Sequence, residues 1–209
     1  MAAAGRDQRR RRLLYGRRKG PKLSTHQAGL FATLLPRLRL RLEPGIDPTA
    51  LFDTNVADIW LEIGFGSGEH LLWQAQHYAN IGIIGAEPYE AGIAKLLSRI
   101  AASSAQEENW NPVSRIRIHE GDARDVLQIL PDECLGRVFI LFPDPWPKKR
   151  HHKRRFIQMG TLDSLARVMA PGATLRFASD DAGYLAWALE HICAHRSFIW
   201  TATCTQDWR

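Results

Sequence analysis

The chain has 209 residues, 45% of them hydrophobic and 24% charged, with 28 Lys and Arg against 22 Asp and Glu; this is enough apolar material and length for one sizeable core, and it excludes wholesale disorder. No apolar stretch approaches the roughly 18 residues that cross a bilayer, and the opening MAAAGRDQRRRR lacks the apolar core of a secretory signal, so neither a membrane protein nor a secreted one is expected. Cys134, Cys193 and Cys204 stand at no CxxC or Cys/His spacing, which gives no support to disulfides or zinc and fits a reducing compartment.

The first segment in chain order is the most biased. Residues 1–22 hold nine basic side chains (Arg6, Arg9 to Arg12, Arg17, Arg18, Lys19, Lys22) against the single acid Asp7. A second block, residues 148–155, holds six more, so the +6 net charge is that of an acidic globule carrying two basic segments. Concentrated positive charge suits a polyanion, because neutralised phosphates release counterions and give affinity without reading sequence. The same composition also describes an organelle transit peptide or a solvated tail. Residues 1–25 read as a basic, flexible arm and 26–209 as one domain.

A helix is expected from Gln27 to Leu35, ended by Pro36, and Pro44-Gly45 and Asp47-Pro48 mark a loop before the main domain. Short apolar runs then alternate with longer segments of helical period. Strands are expected at Ile59–Ile63, Ile81–Gly85, Ile116–His119, Val138–Phe142, Thr174–Ala178 and Phe198–Thr203, and helices near 69–78, 89–102, 124–130, 153–169 and 182–195. Such alternation predicts an α/β fold, a mainly parallel twisted sheet with helices on both faces, whose ligands lie beyond the carboxyl ends of the strands.

The loop after the first strand reads Glu62-Ile63-Gly64-Phe65-Gly66-Ser67-Gly68-Glu69. A dinucleotide fingerprint needs glycine at 69 and a P-loop needs Gly-Lys-Ser/Thr; neither is present. ExGxGxG instead resembles the first motif of class I S-adenosyl-L-methionine (AdoMet) methyltransferases. Glu87, ending the second strand, stands where a carboxylate accepts from both hydroxyls of a ribose, and Asp122, after the third, is placed for an adenine amino group. Glu62, Glu87 and Asp122 behind a glycine loop form a coherent nucleoside site whose charge suits a cationic sulfonium.

The fourth strand runs into Phe142-Pro143-Asp144-Pro145-Trp146-Pro147 and then Lys148-Lys149-Arg150-His151-His152-Lys153-Arg154-Arg155. Three prolines stiffen this loop and hold Asp144 beside Trp146, an acid and an aromatic that together can grip a planar base. The basic block is expected to lead straight into a helix N-terminus, where backbone N–H groups also favour phosphate. His151-His152 has no third ligand at metal spacing, so no metal is expected.

The run FPDPWPKKRHHKRR, with LEIGFGSGE, GAEP, EGDA and FASDD, is similar to the bacterial tRNA (guanine-N7)-methyltransferase family, from Tyr15-Gly16-Arg17-Arg18-Lys19-Gly20 across most of the chain. The resemblance implies a Rossmann-like class I fold and methyl transfer from AdoMet to N7 of a guanine in the tRNA variable loop. It implies cofactor contacts at Glu62, Gly64, Gly66, Gly68, Glu87, Asp122 and Asp144, with Asp144 also catalytic. Lys148, Lys149, Arg150, Lys153, Arg154, Arg155 and Asp180 would bind tRNA, and the arm would contact RNA too. A stand-alone, cytoplasmic enzyme is implied, with no obligatory protein partner. One departure is visible: family members continue to a Thr-x-Phe/Tyr-Glu motif and a final antiparallel strand, and neither is in this chain. Two rival readings are a methyltransferase acting on another nucleic-acid base, whose loop would carry Pro-Pro after the acid, and a non-catalytic RNA-binding protein with the same fold.

Overall fold

The computed structural model describes Gly16 and residues 18–43, 45–104 and 111–208; Arg6, Arg9 to Arg12, Tyr15 and Arg17 of the arm lie outside them. Helix α1 (Thr25–Thr33) starts at Ser24, whose hydroxyl accepts from the Gln27 amide while the Gln27 side chain returns to the Ser24 amide, a reciprocal cap. Pro36 does not end this helix. The chain turns at Leu34 and a short α2 (Leu35–Leu38) begins, with Pro36 in its first turn, where a missing N–H costs nothing.

Among the described residues five strands form one parallel sheet: β1 (Asp58–Ile63), β2 (Ile81–Ala86), β3 (Ile116–His119), β4 (Leu135–Leu141) and β5 (Met169–Ala178), in the order β3-β2-β1-β4-β5. Helices α3 (Glu69–His77), α4 (Glu90–Ser104), α5 (Ala123–Ile129), α6 (Met159–Val168) and α7 (Ala182–Ala194) connect and cover them. Two apolar cores result, one on each face. Leu35, Leu71, Leu96 and Ile100 pack with Ile83 and Phe139 on one side; Val126, Leu162, Leu165 and Tyr184 pack with Leu61 and Val138 on the other. The connection from β3 to β4 crosses over β2 and β1, so the order reverses between β1 and β4, and the crevice beyond their carboxyl ends is where such sheets take ligands.

Two expectations fail. The helix expected at 153–169 splits into a 3-10 segment (Lys149–Arg154), an extended link, and α6, whose N-cap is Gln158. The basic block therefore makes its own turns and does not run into a helix N-terminus. Residues Phe198–Thr203 form no strand, and among the described residues β5 stands at the sheet edge with Thr174 and Arg176 exposed.

Candidate functional site

The crevice between β1 and β4 holds a cavity of about 360 Å³, within the roughly 300–1,000 Å³ typical of small-molecule sites. The glycine loop, Glu87, Asp122 and the loop after β4 converge on it. Gly64, Gly66 and Gly68 all have positive φ, at 73°, 56° and 74°, which explains why the turn takes no other residue cheaply. A Cβ at Gly64 or Gly66 would meet no protein atom within 4 Å, whereas one at Gly68 would strike Leu96 of α4. The first two glycines keep cavity space clear and the third lets α3 and α4 pack.

Both oxygens of Glu87 accept backbone N–H groups, from Gly66 at 2.8 Å and from Tyr89 at 2.8 Å. Burial pushes its pKa up, these two bonds oppose the rise, and the charge of Asp144 adds to it. Two carboxylates that feel each other across one cavity are relieved by a cation. Asp122 caps α5 by accepting from the Arg124 amide at 3.0 Å, and its carboxylate also takes the Arg124 guanidinium at 2.6 Å. Glu62 is placed differently. It shares a face of β1 with Trp60, so its carboxylate points under α3, only 3% of the residue is exposed, and it is not among the residues lining the cavity. It receives His70 Nδ1–H at 2.7 Å, while Gln74 Nε2 donates to His70 Nε2 at 2.9 Å. Burial raises the pKa of Glu62 against this bond from His70.

The loop after β4 carries the strongest backbone signal. Phe142 and Trp146 have φ of 51° and 45°, conformations that aromatic residues rarely accept and that cluster at functional sites. Phe142 is held by its amide donating to the Ala178 carbonyl at 2.8 Å, yet the residue is 65% exposed at the cavity mouth. Between these two residues Asp144 is exposed into the same cavity. Trp146 lies beneath the Arg154 guanidinium, 5.0 Å from its ring centre, and meets the His151 ring edge-on at 5.9 Å. Lys148, Lys149, Arg150 and Lys153 are exposed and Arg154 is half-buried. Arg155, expected with them along an RNA, does not join them: it is 3% exposed and its guanidinium points inward. Asp180 is exposed beyond β5, at the strand end next to that of Asp144. No cluster of metal-ligating side chains occurs among the described residues.

One part of the site was read from the sequence only as an RNA-contacting arm. Gly16 lines the cavity, and a Cβ there would come within 3.3 Å of Asp144 Oδ2. The Glu90 amide donates to the Arg18 carbonyl at 3.0 Å, and Gly20 packs against Tyr89 and Ala91. The end of the arm thus runs past the Asp144 side of the cavity.

The chain matches, over residues 56–208, the family model described as "Putative methyltransferase". A protein of Rhodospirillum rubrum named tRNA (guanine-N(7)-)-methyltransferase is 48% identical over 200 residues, which cover 93% of this chain and 75% of that relative. Proteins of the same name from Nitrobacter hamburgensis and Bradyrhizobium diazoefficiens are 46% and 44% identical, covering 93% and 95% of this chain and 74% and 81% of theirs. Among solved structures, a precorrin-6y C5,15-methyltransferase from Geobacter metallireducens aligns with a TM-score of 0.50 at 18% identity, over 83% of this chain and 72% of that one, a likeness of fold.

Proposed function

The chain belongs to the tRNA (guanine-N7)-methyltransferase family, and from that premise we propose how its residues divide the work of methylating N7 of a guanine in tRNA with AdoMet as donor. The cavity fits that cofactor in three respects: open space over Gly64 and Gly66, a buried carboxylate at Glu87, and a second carboxylate, Asp144, whose repulsion a cation relieves. When bound, AdoMet supplies a methyl group made electrophilic by its sulfonium. Glu87 accepts from the ribose hydroxyls, Asp122 from the adenine amino group, and the glycine loop backs the remainder. Glu62 works from below, fixing His70 and the start of α3.

Guanine N7 carries a lone pair and no proton, so no general base is needed. What the protein supplies is position and field. The base becomes cationic on methylation, and Asp144, accepting from the guanine N1–H and N2–H edge, stabilises that charge. Lys148, Lys149, Arg150, Lys153 and Arg154 hold phosphates of the variable-loop region, Asp180 contacts the substrate, and the arm contacts the tRNA body. By its family, the enzyme acts alone in the cytoplasm. No helix among the described residues is long and apolar enough to cross a membrane.

The observation that carries this reading is Asp144 fixed between two left-handed aromatic residues at the mouth of a cavity built on the glycine loop. Incubation with unmodified tRNA and AdoMet, followed by nucleoside mass spectrometry, should yield 7-methylguanosine; methyl on another atom, or none, would overturn it. Asp144→Asn should lower kcat by about 100-fold or more, with AdoMet binding partly retained.

A further inference from the structure

Arg155 is a buried cation that no carboxylate pairs with among the described residues. A charge in such a place is costly unless its hydrogen bonds are met. Two carbonyls and two aromatic faces meet them. Nε donates to the Pro145 carbonyl at 2.8 Å, and Nη1 approaches the Gly183 carbonyl at 3.4 Å. The guanidinium carbon lies 5.0 Å from the Tyr184 ring centre and 5.3 Å from that of Trp187. A planar, forked cation suits this arrangement, and an ammonium does not span it.

The two carbonyls belong to different parts of the proposed guanine site. Pro145 follows Asp144 directly. Gly183 lies in the first turn of α7, just after Asp180 and its helix-capping neighbour Asp181. The residues after Arg155 are tied to the same helix: the Phe156 and Ile157 amides donate to the Tyr184 hydroxyl at 3.0 and 3.2 Å, and Trp187 Nε1 donates to the Ile157 carbonyl at 2.8 Å. The segment following the basic block is therefore docked on α7, and Arg155 reaches back from it to the acid-bearing loop.

We infer that Arg155 is a positioning residue: it sets the separation between the Asp144 loop and the Asp180 loop, and it serves methyl transfer without touching RNA. The inference rests on the functional reading above for what the two loops do.

The experiment compares Arg155→Lys and Arg155→Met with wild type and with Lys153→Met, in the whole chain. Both Arg155 variants should lower kcat at saturating tRNA and AdoMet by about 10- to 100-fold, the scale of a misplacement near 1 Å. The tRNA Kd and its slope against salt should stay as in wild type, whereas Lys153→Met should flatten that slope by about one phosphate. Amide exchange should quicken over residues 142–150 and 180–184 and stay unchanged in β1 and β2. A flattened slope in the Arg155 variants would make Arg155 a phosphate ligand and overturn the inference. So would wild-type kcat and exchange in Arg155→Met or, if that variant does not fold, in Arg155→Lys. If wild type forms no 7-methylguanosine, the functional reading fails, and the exchange of the two loops still decides whether Arg155 braces them.

Discussion

Because both oxygens of Glu87 already serve the backbone of Gly66 and Tyr89, the group expected to hold a ribose also holds the loop above it. Its pKa is raised, chiefly by burial, and the sign of the consequence differs between folding and binding. The folded chain takes up this proton at a higher pH than the unfolded chain does, so acidification through the raised value favours the fold. Binding needs the ionised carboxylate, so AdoMet affinity should fall as pH drops through a value above the usual glutamate range. Calorimetry over a falling pH series should show that step, and Glu87→Gln should bind more weakly with the step removed. Gly92 acts on the same loop at a distance. A Cβ there would lie 2.4 Å from the Gly66 carbonyl oxygen, so Gly92→Ala must push the loop or α4 aside. Overpacking of this kind costs about 1–3 kcal/mol; thermal melting should show the loss, and AdoMet affinity should drop although residue 92 itself carries no ligand-binding group.

At the level of elements, the strands and the glycine loop were legible because a parallel strand buried on both faces leaves a continuous apolar run, and a loop needing left-handed backbone leaves glycines. The segment from Arg155 to Gln158 was not. Phe156 and Ile157 continue a helical apolar period by chance of spacing, while their amides are claimed by the Tyr184 hydroxyl, a contact 27 and 28 residues away that no local pattern records. The facing of Glu62 was hidden for a related reason: an acid at a strand end looks like a ligand group until the register shows that it shares a side with Trp60. Tyr184→Phe isolates the tertiary contact. It leaves two amides without their acceptor in the interior, at about 1–3 kcal/mol, and should lower the melting temperature with a smaller effect on AdoMet affinity than Gly92→Ala.

For the molecule as a whole, the charge distribution separates affinity from chemistry. The exposed part of the basic block stands beside the acid-lined cavity, and nine further cations belong to residues 1–22. Deleting residues 1–14 while keeping Gly16 should weaken tRNA binding and flatten its salt dependence by more than one phosphate contact, at about 0.7–0.9 each. AdoMet affinity should change less than twofold; a larger loss would show that the arm serves the cofactor cavity more than the RNA. The two left-handed residues that bracket Asp144 carry a further consequence. Phe142 and Trp146 hold conformations that cost of order 1–3 kcal/mol each, and that cost is met when the chain folds, before any RNA arrives. The loop then has little left to order on contact with a base. The conformational work of recognition falls on the nucleic acid, which must release its guanine from the stack, and tRNAs should therefore be discriminated by how readily the variable loop gives up that base.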